Sequence, residues 1–390
     1  MRSFFRQRGK FRLTTQKPMI FLFISPHLPA DARKMQRKKK SRAIATARAL
    51  VLYWKKTKGC RPPAAVTDMS VRHDFIWATL VHLTTNCWYE EGNDYHGKPS
   101  WIWANPGSSE LRLDREMLIR YLEELRTKGT NTVVLDLGDA VILDSHPEIA
   151  VKGAYTKEEL RALLDRMNEM GFEVIPKMNF SATHDYWMGD YGRMLSTPLY
   201  YQFVRDIIDE VSELFRPRFF HIGMDEEGYE LQKDFEYVVV RQKKLWWQDL
   251  YYYVECVERN GARAMMWSDY AREKPEEFIE KCPRSVVQCV WYYFNKYGDN
   301  VEDRFKIRTR PLLLLDQAGF DQIPFGSVSF DKDSLPLLAE YCGKRLSPER
   351  LLGFGQTTWD PVLPDWQEEL TVGADRLLEA RELYEGLKKA

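Results

Sequence analysis

From Met69 onward, short apolar strand-like runs alternate with amphipathic helix-like runs, and no other feature of the chain constrains its fold as much. Strands are expected at residues 75–83, 132–137, 172–178, 219–223, 263–267, 286–291, 311–315 and 351–357. Helices are expected between them at 114–127, 157–169, 198–214, 243–259, 275–281 and 335–342, with a weaker pattern around 300–308 and a closing helix at 364–388. Thr156 with Glu159 three residues later spells a capping box at the head of one helix. Gly129 and Gly171 sit where a helix C-terminus would call for a left-handed residue. Eight strand–helix pairs over about 320 residues predict an α/β chain closed as a single (β/α)8 TIM barrel rather than an open sheet.

Composition sets the outer limits. A 390-residue chain with 44% hydrophobic residues can bury one large core. Its 57 basic and 57 acidic residues balance, but the balance is uneven along the chain. Residues 1–61 hold 18 of the bases and only one acid, Asp31, leaving 39 bases against 56 acids, a formal charge of −17, in the remainder. Residues 1–68 are therefore expected to be a basic extension, and 69–390 the (β/α)8 domain. Three readings of the extension compete: a tail for nucleic acid or an anionic surface, a signal peptide built on the short apolar run 19–24, or a disordered segment with translation starting at Met69. The third is favoured, with no nucleic-acid partner for the domain. Six scattered cysteines without paired or metal-type spacing suggest reduced thiols in a cytoplasmic protein, secretion being the alternative. There is no run of about twenty apolar residues, hence no transmembrane helix.

The chemistry of such a barrel belongs at the C-terminal ends of its strands. There the chain offers Asp139 after the second expected strand and His184 after the third. The fourth ends in three consecutive carboxylates, Asp225-Glu226-Glu227. Trp267 with Asp269, Trp291 with Tyr292 and Tyr293, Asp316-Gln317 and Trp359-Asp360 end the fifth to the eighth. Aromatic faces stack on the apolar faces of sugar rings and carboxylates bind hydroxyls, so the set reads as a carbohydrate cleft, although any single tryptophan is more often core. His221 and Glu227 have plainer readings, a core histidine and a solvated neighbour. Asp139 could equally cap a turn. A metal site is not expected, because His221, Asp225 and Glu226 share one strand whose successive side chains turn apart, and no cofactor is implied.

The stretch His221-Ile-Gly-Met-Asp-Glu226 resembles the His-x-Gly-Gly-Asp-Glu signature of family 20 glycoside hydrolases, the β-N-acetylhexosaminidase group, with Met224 for the second glycine. His146-Pro-Glu-Ile149, then Gly153-Ala-Tyr-Thr-Lys-Glu-Glu159, and Gly171-Phe-Glu-Val-Ile-Pro176 are similar to further family segments in the same order. The resemblance implies removal of terminal N-acetylhexosamine by substrate-assisted, retaining catalysis, in which the sugar's acetamido oxygen attacks the anomeric carbon. It makes Glu226 the acid and base, and Asp225 the group that orients the acetamido. His184 and Asp139 become a hydrogen-bonded chain tuning Glu226. Trp267, Trp291 and Trp359 would enclose the acetamido methyl and sugar face, with Asp269 among the substrate-binding groups. Tyr293, or its neighbour Tyr292, would bond the acetamido carbonyl. The chain departs from the pattern at Lys177 (a glutamate in the family), at Asn179-Phe-Ser181, at Asp360, and at the first strand's end, which lacks the family's sugar-binding arginine. Two alternatives follow from those departures: a non-catalytic carbohydrate-binding barrel, and a glycosidase for sugars without an acetamido group.

Overall fold

The computed structural model describes residues 71–87, 107–233, 235 and 237–389. The basic extension, and Trp88 after the first strand, lie outside the described residues. Eight parallel strands form the sheet: β1 (Ile76–His82), β2 (Thr132–Asp136), β3 (Glu173–Lys177), β4 (Phe219–His221), β5 (Arg263–Trp267), β6 (Val287–Cys289), β7 (Phe325–Ser327) and β8 (Gly353–Thr357). From β1 to β6 each pairs with the next, β7 pairs with β8, and β8 returns to β1, where Ile76 sits opposite Gly353. The ring closes between β6 and β7 through single bridges at Gln288–Gln322 and Trp291–Phe325, and Tyr292 N donates to Phe325 O at 2.9 Å. The fold is the expected (β/α)8 barrel.

Helices cover the outside: α1 (Arg115–Thr127), α2 (Lys157–Glu169), α3 (Pro198–Phe215), α4 (Lys244–Glu258), α5 (Pro275–Lys281), α6 (Asp303–Gln317), α7 (Ser334–Arg345) and α8 (Gln367–Lys389). The capping box at Thr156 is present in full, and Gly129 and Gly171 take φ of +90° and +84°. No helix among the described residues is long and apolar enough to cross a membrane.

The seventh strand is the correction. The Pro311–Leu315 run is helical, the second half of α6, with Leu312 and Leu315 buried on one face. An apolar run of five cannot by itself distinguish a buried strand from a buried helix face. The true β7 is three residues long and carries Gly326, where a Cβ would stand 2.6 Å from Leu335 Cβ on α7. So short and glycine-bearing a strand has no readable period. Asp316 therefore ends no strand; it accepts hydrogen bonds from Ser347 beneath the helix.

Period-two alternation sorts the strand side chains into layers. Ile76, Ala78 and Leu80 of β1 point into the barrel with Val134, Ile175 and Phe219, while Trp77, Val81, Val133 and Leu135 pack outward beneath the helices. Two residues further toward the strand ends, the inward layer turns polar. His82, Asp136, Lys177 and His221 are register partners on four adjacent strands, all buried. Asp136 accepts from Lys177 Nζ at 2.7 Å and lies 2.9 Å from His82 Nδ1. Lys177, the residue that departs from the family, is thus a barrel-interior cation neutralising Asp136. Removing one member of a buried pair costs about 3–5 kcal/mol. Lys177→Met should therefore lower the stability measured by urea unfolding by that order.

Candidate active site

The carboxylate run begins where β4 ends, and the backbone there is unusual. Gly223 and Met224 both take φ of +74° and Glu226 takes +54°. At Gly223 a Cβ would fall 1.9 Å from Asn179 Oδ1, so only glycine fits. Met224 holds the same left-handed conformation with a side chain, at a cost of about 1–2 kcal/mol, in the position where the family pattern has glycine. These reversals undo the strand alternation that would turn Asp225 and Glu226 apart. One imidazole reaches both: His184 Nδ1 lies 3.3 Å from Asp225 Oδ1, and Nε2 lies 3.5 Å from Glu226 Oε2.

The two acids have different environments. Asp225 is buried, and Asn179 Nδ2 donates to its Oδ1 at 3.0 Å. Burial opposes its charge, yet the His184 cation and hydrogen bond, the Lys177 charge beneath and the Asn179 amide outweigh that and hold the carboxyl far below the usual range. The Glu226 side chain is about a third exposed at the cleft. Burial opposes the charge on His184 as well, but Asp225 and Glu226 push its pKa up to about 10. A raised histidine stabilises the fold fully below its unfolded value, about 6.5, and that contribution is lost as pH rises through about 10. Unfolding midpoints should accordingly fall between pH 7 and 10, and fall less steeply in His184→Gln.

Asp139 is buried too, accepting from Asn86 Nδ2 at 2.8 Å; burial lifts its pKa to about 6. Of the expected chain from Asp139 through His184 to Glu226, the His184–Glu226 half is the one made directly. Asn179 was not singled out in the sequence. Its one signal was its place in a segment where the family pattern has an aspartate.

The aromatic groups gather around the same opening. The rings of Trp359 and the buried Tyr293 are 6.5 Å apart between centres, and the Trp291 and Tyr293 ring centres are 5.1 Å apart. Tyr292 faces the other way, its hydroxyl donating to Lys296 O, which favours Tyr293 over its neighbour. Trp291 Nε1 donates to Asp269 at 2.8 Å, and Arg272 binds the other oxygen of that carboxylate at 2.8 Å. Burial first, then the charges of Asp225 and Glu226, raise the pKa of Asp269 to about 7 against the pull of Arg272 and Trp291. Trp267 sits a layer lower than expected. It has no exposed surface and packs between His221 and Trp359, at 4.5 and 5.9 Å between centroids, so it floors the cleft instead of walling it. His221 is the core histidine anticipated, its Nδ1 accepting from Gly223 N at 3.1 Å.

Glu227 is not the solvated neighbour expected. Its side chain is almost fully buried, pairs with the buried Arg241 and accepts from Trp246 Nε1 at 2.6 Å and Ala182 N at 2.9 Å. It clamps the β3 loop and α4 to the end of β4, and so holds the backbone that carries Asp225 and Glu226. Glu227→Ala should cost about 3–5 kcal/mol, measurable by denaturant unfolding, because Arg241 would keep only Asp249 as a carboxylate partner.

A model of the glycosyl hydrolase family 20 catalytic domain matches residues 181–305, which bracket His184, the acid pair, Asp269, Trp291 and Tyr293. That match spans about a third of the chain and makes the segment carrying the acid pair similar to the family 20 catalytic domain. A lacto-N-biosidase of Bifidobacterium bifidum is 23% identical over 132 residues, 30% of this chain and 12% of that protein. Among solved structures, a Flavobacterium johnsoniae chitobiase superposes with a TM-score of 0.51 at 18% identity, over 70% of this chain and 49% of the other. A β-N-acetylhexosaminidase from Bacteroides fragilis gives 0.53 at 14% identity, over 79% and 65%. At these identities the structures establish a shared barrel. The chain spans less than two thirds of each of these three relatives.

Proposed function

We propose that this barrel is a glycosidase that removes terminal β-linked N-acetylhexosamine, with the substrate's own acetamido group as nucleophile. The observation that carries the reading is the junction of Asp225, Glu226 and His184, in which one carboxylate is buried and held ionised while its neighbour reaches the cleft.

In the first step the acetamido carbonyl oxygen bonds to the anomeric carbon as the bond from that carbon to the leaving oxygen breaks. Glu226 gives its proton to the leaving oxygen. The ring closure puts positive charge on the acetamido nitrogen, and Asp225 accepts that N–H and stabilises the charge. An ionised carboxylate already fixed by Asn179 and His184 needs no reorganisation to do so. His184 then faces the carboxylate that Glu226 has become. In the second step Glu226 takes a proton from water as that water attacks the anomeric carbon from the leaving-group side. The oxazolinium ring opens and the β configuration is retained. Tyr293 would bond the acetamido carbonyl, with Trp291 and Trp359 against the sugar and the Asp139 site supporting the β2 side. The five buried, unpaired cysteines among the described residues suit a reducing, cytoplasmic setting for this activity.

Turnover of 4-nitrophenyl N-acetyl-β-glucosaminide, with NMR of the sugar first released, is the test. A β-configured product supports the reading. An α-configured product, or binding of the sugar with no turnover, would overturn it in favour of a conventional acid pair or a binding protein.

A further inference from the structure

One charged group at the cleft has no part in that chemistry. Arg308, half-buried in the second turn of α6, places its guanidinium carbon 5.5 Å from the centre of the Trp291 ring and 5.7 Å from that of Phe294. It has no hydrogen bond or ion pair with any described residue. Other arginines of comparable or greater burial are engaged: Arg241 with Glu227, Arg218 with Glu173, Arg263 with Asp321. Arg272 is the telling neighbour. It too approaches the Trp291 ring, at 5.1 Å, but is bound to Asp269 at 2.8 Å.

The charged groups that Arg308 senses are Arg272, which repels it, and Asp269 and Glu226, which attract it. Asp269 is already taken by Arg272 and Trp291, and Glu226 by His184. A guanidinium partly stripped of water by two rings, beside a second cation and without a carboxylate of its own, is unfavourable until an anion completes it.

We propose that Arg308, with Arg272 near the same indole, forms a subsite for an oxyanion (sulfate, phosphate or carboxylate) carried by the glycoside that the cleft binds. The guanidinium fork suits such groups through two parallel N–H···O bonds. The inference rests on the glycosidase reading, and its location beside Trp291 leaves two sources for the anion, the sugar itself or the leaving group.

Three substrates separate them: 4-nitrophenyl N-acetyl-β-glucosaminide, its 6-O-sulfate, and the analogue with a 3-carboxy-4-nitrophenyl leaving group. One of the anionic substrates should exceed the neutral one in kcat/KM by about tenfold or more, the scale of one hydrogen bond to a charged group. Which one does so identifies the source. The preference should shrink with added salt, vanish in Arg308→Gln and partly return in Arg308→Lys. No preference for either anion, or a preference that Arg308→Gln leaves intact, would overturn the subsite. Should none of the three be turned over, the glycosidase reading fails by itself. Calorimetric titration of the same compounds then decides the subsite: tighter, Arg308-dependent binding of an anionic compound supports it, and equal binding removes it.

Discussion

Glu226→Gln is expected to lower kcat/KM by about 10³-fold on a glycoside with a poor leaving group, within the range for loss of a general acid. The size of the loss should depend on the substrate. Because kcat/KM reports the ring-closing step, a 2,4-dinitrophenyl glycoside, whose leaving oxygen needs little protonation, should lose far less than a 4-methoxyphenyl glycoside. A loss equal for both would mean that Glu226 does not protonate the leaving oxygen. The expectation follows from geometry: the Glu226 side chain is the one of the pair that reaches the cleft, and His184 Nε2 lies 3.5 Å from it.

Asp225→Asn is expected to act through a different step and so to leave a different signature. Removing a preorganised charge opposite a developing one costs about 10²–10³-fold, and here the loss should be the same for good and poor leaving groups. Asparagine keeps the size of the side chain but surrenders the anion that His184, Lys177 and Asn179 converge on. The substitution also strands those groups. Lys177 keeps Asp136, and His184 loses the anion at Asp225 while its longer contact to Glu226 remains. An unfolding measurement on the same variant therefore separates catalytic from structural loss. Wild-type-like stability with a leaving-group-independent defect fits the orienting role.

Much of this architecture was legible in the chain. Seven strands carried short apolar runs, and the helix heads and stops at Thr156, Gly129 and Gly171 follow local rules that tertiary packing did not override. β7 was not legible, since three residues including a glycine required by α7 carry no period, while a leucine run in α6 imitated a strand. The acid pair announced itself by position. Its support did not, because Asn179, Arg241 and Lys177 reach their partners from 46, 14 and 41 residues away in sequence. The same limit explains Glu227, whose burial depends on Arg241 arriving from the loop before α4, and Trp267, whose depth depends on ring closure.

The proposed mechanism makes the substrate's acetamido group the nucleophile and Asp225 its partner. The most direct test is competitive inhibition by the thiazoline analogue of the oxazolinium intermediate. Binding is expected to be at least 10²-fold tighter than that of N-acetylglucosamine, as for an analogue of a reactive state, with that advantage largely abolished in Asp225→Asn. Turnover of the aryl glycoside that the thiazoline does not inhibit, or thiazoline binding that Asp225→Asn leaves unchanged, would contradict it.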